Sequence, residues 1–161
     1  MFLRNCWYVA AWDHEVHRLQ LMRRLLLGDA VALYRKSDGK VVALEDRCCH
    51  RHAPLSKGRV KGDNVECPYH GLVYDPAGRC VHIPWQENIP SGACVKSYPV
   101  VEKYHWVWIW MGEPSLADES LIEDFHWMDS PDWRFKGERL HVKGNYLLLV
   151  ENLLDLAHLP T

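Results

Sequence analysis

Cys48-Cys49-His50-Arg51-His52-Ala53-Pro54-Leu55-Ser56 and Cys67-Pro68-Tyr69-His70-Gly71 set out the pattern C-x-H, sixteen residues, C-x-x-H. Each half offers one thiolate, from Cys48 or Cys67, and one imidazole, from His50 or His70. Two such halves can hold a 2Fe-2S cluster with both sulfur ligands on one iron and both nitrogen ligands on the other. Two Cys and two His also satisfy a tetrahedral zinc ion. Zinc modules usually pair like with like, as C-x(2-4)-C and H-x(3-5)-H, whereas each half here mixes sulfur with nitrogen. The mixture suits the cluster, because each loop must give Cys to the ferric iron and His to the iron that becomes ferrous. Pro68 and Gly71 suit tight ligand-bearing turns. The cluster is the preferred reading; a structural zinc site, which predicts a colourless protein, is the alternative.

The chain of 161 residues is long enough for one well-buried domain, or for one domain and the beginning of a second. A formal charge of -2 gives no reason to expect a nucleic-acid partner. No stretch approaches the ~18 consecutive apolar residues of a membrane span. Leu25-Leu26-Leu27 stops at Gly28-Asp29, and Met1-Phe2-Leu3-Arg4-Asn5 lacks the order of a signal peptide. The expectation is a soluble, cytoplasmic protein with no membrane contact. Cys6, Cys49, Cys80 and Cys94 show no disulfide framework and read as small thiols in a reducing compartment. Cys49 is the unusual one, since it sits between two candidate ligands.

Residues 1 to about 112 read as short β segments broken by turns. Leu25–Leu27, Ala30–Tyr34 and Val41–Leu44 are expected strands, with Ser37-Asp38-Gly39-Lys40 turning the last pair. Leu72-Val73-Tyr74 and Cys80-Val81-His82 flank a second hairpin turn, Asp75-Pro76-Ala77-Gly78. Lys103 to Met111 alternates with period two, as a half-buried strand does, and its tryptophans read as core or subunit contact. The candidate ligands fall in loops, where a partner can approach. Gly112-Glu113-Pro114-Ser115 ends the β run and an acidic, irregular stretch follows. The domain junction is therefore placed at about 113 to 120, dividing the chain into residues 1–113 and 114–161. From Tyr146 to Pro160 the dense apolar positions predict a helix, on which Asn152, Asp155 and His158 recur at three-residue steps. Alone, those three polar residues read as the solvated face of an amphipathic helix.

Taken together, Arg4-Asn5-Cys6-Trp7-Tyr8-Val9-Ala10, the two ligand halves, and Asn145-Tyr146 through Glu151-Asn152-Leu153-Leu154-Asp155-Leu156-Ala157-His158 resemble the Rieske non-haem iron oxygenases. Within that family the chain is most similar to terminal oxygenases of the vanillate and dicamba O-demethylase kind. The resemblance implies a mainly β Rieske domain of small antiparallel sheets with two ligand loops, followed by the start of an α+β catalytic domain. It implies that His158 is the first histidine of a 2-His-1-carboxylate site for mononuclear Fe(II). Asp155 is similar to the aspartate that links a cluster histidine, here His70, to the iron of the next subunit in a homotrimer. Asn152 resembles the asparagine near that iron.

The second histidine and the carboxylate of such a site are expected beyond Thr161, so the chain reads as the N-terminal part of an oxygenase subunit. The implied partners are an NAD(P)H-dependent reductase, acting directly or through a ferredoxin, together with dioxygen and an aromatic substrate. Hydroxylation of a methyl ether would yield a phenol and formaldehyde. Respiratory Rieske centres carry a loop disulfide and a serine donor; Ala53, Tyr69 and Leu72 stand at those positions here, leaving Tyr74 as a donor. Fewer donors place the expected midpoint near the low end of the ~-150 to +300 mV Rieske range. Two other functions are weighed, a free-standing Rieske ferredoxin and a zinc-stabilised interaction module. A helix presenting Asn152, Asp155 and His158 favours the oxygenase.

Overall fold

The β-branched and aromatic runs pair into three antiparallel sheets in the computed structural model, which describes residues 2–155 and residue 157. In chain order the strands are β1 (Trp7–Trp12), β2 (Met22–Leu26), β3 (Asp29–Arg35), β4 (Val41–Glu45), β5 (Arg59–Lys61), β6 (Asn64–Glu66), β7 (Val73–Tyr74), β8 (Cys80–His82), β9 (Ser97–Tyr98), β10 (Val100–Lys103) and β11 (Trp106–Trp110). One sheet runs β1-β11-β10, the central sheet β2-β3-β4-β9, and the third β5-β6-β7-β8.

Alternation along β3 explains how the sheets stack, since successive side chains point to opposite faces. Val31 and Leu33 pack with Ala10, Val16, Val107, Ile109 and Met111, the core shared with the β1-β11-β10 sheet. Ala32 and Tyr34 face the other way, into a core that contains Leu44, Leu55, Val65 and Tyr74 together with Cys48 and Cys67. The first candidate ligand loop follows β4 of the central sheet and the second joins β6 to β7 of the third, so the back of the central sheet is fixed independently of both. Leu33 is fully buried on that back face. Leu33→Ala is expected to lower the unfolding free energy by about 2–5 kcal/mol, read from the denaturant midpoint, with the visible spectrum of a bound cluster unchanged.

Both expected hairpins form. Gly39, at φ 91, turns β3 into β4, and the Asp75 carboxylate accepts from the N–H groups of Ala77 and Arg79 at 2.9 Å to close the turn between β7 and β8. Three expectations need correction. Leu27 is not strand: with Gly28 it forms a two-residue turn at φ 51 and 89. Lys103 to Met111 is not one strand, because Tyr104 and His105 take φ 57 and 62 and turn β10 into β11. Nor is β11 half-buried: Val107 and Ile109 enter one core, while Trp108 packs on Ile122 and Met128 in another. The segment after residue 112 folds back over the tryptophan face, and Trp7 Nε1 donates to the Asp118 carbonyl at 2.7 Å. His105 stands between Asp13 at 3.3 Å and Asp129 at 3.5 Å and joins the turn to that segment.

The single α-helix among the described residues, α1, spans Tyr146–Leu154, with the Asn145 side chain accepting from Leu147 N at 3.0 Å. It is shorter than expected. Asp155 leaves helical backbone at φ -90, ψ 94, and its carboxylate accepts from Ala157 N at 3.0 Å, a local bond that competes with helix continuation. The apolar side chains of α1 are exposed. Among the described residues no helix is long and apolar enough to cross a membrane.

Candidate metal centre

The two ligand loops are built alike. In the first, Cys48 N donates to Ala53 O at 2.9 Å and His52 N to Cys48 O at 2.9 Å; in the second, Cys67 N donates to Leu72 O at 2.8 Å and Gly71 N to Cys67 O at 3.2 Å. In each, the fourth residue after the cysteine adopts a left-handed backbone, His52 at φ 57 and Gly71 at φ 73. Glycine suits the second position doubly, because a Cβ there would meet Pro84 Cγ at 3.1 Å. At His52, Arg47 Nη2 donates to the ring Nδ1 at 3.0 Å.

The turns sort the donors by chemistry. Cys48 and Cys67 are both 2 % exposed and lie within the core, whereas His50 and His70 are exposed, their ring centroids 4.6 Å apart. Burial pushes the Cys67 thiol above its ordinary value; the backbone N–H groups of Tyr69 and His70 oppose the rise, and the adjacent Cys48 thiol adds to it. Among the described residues no three His, Cys, Asp or Glu side chains converge on one metal position. A sulfur pair inside and a nitrogen pair outside fit a two-iron cluster, whose irons are separated, better than a single tetrahedral zinc ion.

Two buried polar side chains brace the first loop. The Asp46 carboxylate, with no exposed surface, accepts from Ser56 N at 2.6 Å, Ser56 Oγ at 2.7 Å and Arg23 Nε at 3.1 Å. Tyr74 Oη lies 3.1 Å from Cys48 Sγ, and burial, followed by its contacts with Cys48 and Cys49, pushes its hydroxyl well above the ordinary tyrosine value. It stays protonated and able to donate to the Cys48 sulfur. Tyr74→Phe is expected to lower the cluster midpoint by ~40 mV, the equivalent of about 1 kcal/mol for one electron, as read by redox titration. The sequence points to Tyr74 but not to Asp46, whose partners stand ten and twenty-three residues away.

His50 and His70 open into a cleft of about 620 Å³ walled by Tyr69, Ile83, Pro84 and Trp85. Tyr69 stacks on His70 at 3.8 Å between centroids, and Trp85 is fully exposed beside them. The imidazole edges therefore face a largely apolar opening, while the thiols are sealed from water.

Asn152 lies in α1 and Asp155 immediately beyond its end, both exposed, so helical spacing does not place the two on one continuous face. His158 lies outside the described residues.

A buried thiol pair and a surface imidazole pair on matched loops, carried by small antiparallel sheets, define an iron-sulfur electron-transfer module of Rieske type. The chain belongs to the Rieske 2Fe-2S domain family, whose profile matches residues 6–99. It is 57% identical over 159 residues to the iron-sulfur subunit of the toluene-4-sulfonate monooxygenase system of Comamonas testosteroni, covering 99% of this chain and 46% of that one. It is 48% identical over 158 residues to the oxygenase component of dicamba O-demethylase from Stenotrophomonas maltophilia, covering 98% and 46%. A crystal structure of dicamba monooxygenase with non-haem iron and dicamba superposes with a TM-score of 0.91 at 47% identity, over 98% of this chain and 48% of that chain. The chain spans about half the length of the curated relatives it matches.

Proposed function

We propose that this chain is the electron-receiving portion of a Rieske-type terminal oxygenase, with Cys48, Cys67, His50 and His70 holding a 2Fe-2S cluster. The observation that carries the reading is the sorting of donors, thiols in the core and imidazoles side by side at an open cleft. When bound, the cluster stores one electron at a time. The chain's own part is to seal the sulfur side with Leu55, Val65 and Leu72 and to present His50 and His70 as the entry and exit edges. Tyr69, Pro84 and Trp85 offer the surface against which an electron partner docks.

In this reading residues 1–113 form the cluster domain and 114–161 begin a catalytic domain. The exposed apolar side of α1 supports that division, since a free-standing ferredoxin has no need of it. Asn152, Asp155 and His158 belong to a mononuclear Fe(II) site completed by further chain, with Asp155 linking His70 of a neighbouring subunit to that iron in a homotrimer. Electrons come from an NAD(P)H-dependent reductase, directly or through a ferredoxin. The names of the relatives point to an aromatic substrate carrying a methyl or methyl-ether group, oxidised with dioxygen.

The deciding experiment is low-temperature EPR of anaerobic, dithionite-reduced protein, with iron and zinc assayed on the same sample. A brown protein with about two irons per chain and a rhombic signal supports the cluster. A colourless protein containing one zinc would sink it. For the whole protein, oxygen-dependent formaldehyde release from an aromatic methyl ether separates oxygenase from carrier.

A further inference from the structure

Tyr74 Oη has three neighbours within hydrogen-bonding reach: Cys48 Sγ at 3.1 Å, Cys49 Sγ at 3.2 Å and Cys49 N at 3.3 Å. A phenolic hydroxyl has one proton to donate and two lone pairs to accept with. On the reading of Cys48 as a cluster ligand, its thiolate can only accept, so it takes the tyrosine proton. The Cys49 N–H can only donate, and occupies one lone pair. The remaining lone pair faces Cys49 Sγ, which leaves the Cys49 thiol as the donor. Cys80 does not compete for this hydroxyl, because its thiol donates instead to the His82 carbonyl at 3.4 Å.

We propose that Cys49 is a positioning residue for the cluster, its thiol and backbone N–H together aiming the Tyr74 hydroxyl at the Cys48 sulfur. Two accepted bonds polarise the O–H and strengthen its donation, since hydrogen bonds in a chain reinforce one another at low dielectric. Donation to a ligand sulfur favours the more negative, reduced cluster and raises its potential. Cys49 thereby acts at one remove, through Tyr74, on the redox poise of a centre it does not ligate. The opposite arrangement, with the tyrosine proton turned to Cys49 Sγ, would leave the ligand sulfur undonated and exchange a strong ionic acceptor for a weak neutral one.

The sign of one measurement separates the two arrangements. Cys49→Ala and the volume-keeping Cys49→Val remove the thiol donor, and both are expected to lower the midpoint of the iron-loaded protein while iron per chain stays constant. Cys49→Ser restores a donor and is expected to bring the midpoint back toward the parent value. In a Tyr74→Phe background, Cys49→Ala is expected to produce no further shift. A midpoint that rises in Cys49→Ala or Cys49→Val overturns the proposal, as does one that does not move or one that shifts equally without Tyr74. If the unsubstituted protein lacks a Rieske EPR signal, the cluster reading falls and takes this inference with it. A normal signal with an unmoved midpoint removes this inference alone.

Discussion

Replacing Cys67 with serine is expected to leave the protein without its cluster, with iron falling from about two per chain to background and the visible and EPR signals lost together. The thiol sits 2 % exposed beside Cys48, among Leu55, Val65, Leu72 and Tyr74. A serine hydroxyl is a hard donor that does not ionise near neutral pH, and in this pocket no water can take the empty position. Cluster loading removes the thiol protons, which backbone N–H groups of Tyr69 and His70 make easier against the opposing effect of burial. His70→Ala is expected to do less damage at first, because the imidazole lies at the cleft and water can occupy its place. That variant should assemble some cluster and bleach on exposure to air. The back of the central sheet, packed through Val31 and Leu33, does not depend on the loops, so the β signal in circular dichroism should persist in both. A brown Cys67→Ser protein with full iron would remove Cys67 from the ligand set.

The difference between what could be read in the chain and what could not follows from the range of the interactions. The ligand pattern was legible because a mixed thiolate and imidazole pair on each loop is a chemical requirement written in adjacent residues. The turn at Asp38-Gly39 was equally visible, since Gly39 alone accounts for its positive φ. The turn at Tyr104-His105 was hidden because neither residue advertises a left-handed backbone. Distant partners support it: Tyr104 Oη donates to Asp124 at 2.9 Å, and His105 contacts Asp13 and Asp129. β11 misled for the same reason, as its alternation was clear but nothing local announced that Ile122 and Met128 would cover the tryptophans. α1 was read too long because apolar density continued past Leu154, while the side-chain bond from Asp155 to Ala157 N is made only once the chain has turned. At the metal centre, Cys49 was noticed for its position but given no role; only the fold brings Tyr74 against it.

Asp46 shows the same blindness at the base of the first ligand loop. Its side chain is completely buried, and its two oxygens accept from Ser56 N, Ser56 Oγ and Arg23 Nε. The bonds from Ser56 tie the end of the first ligand loop back to the residue that follows β4, and so fix the span that carries Cys48 and His50. Asp46→Ala leaves the part-buried Ser56 N–H without an acceptor and Arg23 without its carboxylate. Bonds to a charged group are worth about 1.5–3 kcal/mol each, and a lost buried partner adds a desolvation cost. Arg23 is 52% exposed along its side chain and can turn to water, so that bond contributes less. A loss of about 3 kcal/mol is expected, measured by urea unfolding of the loaded protein, accompanied by faster cluster release. Asp46→Asn keeps one accepting oxygen, and its amide group can donate to Ser56 Oγ but opposes Arg23; it should fall between Ala and the parent. Ser56→Ala removes one hydroxyl donor and should cost about 1 kcal/mol. This order, Ala worst, Asn intermediate and Ser56→Ala mildest, is specific to a carboxylate that organises the loop. Equal stability across the series, or full stability of Asp46→Ala with unchanged cluster release, would show that the loop holds its shape through its backbone bonds alone.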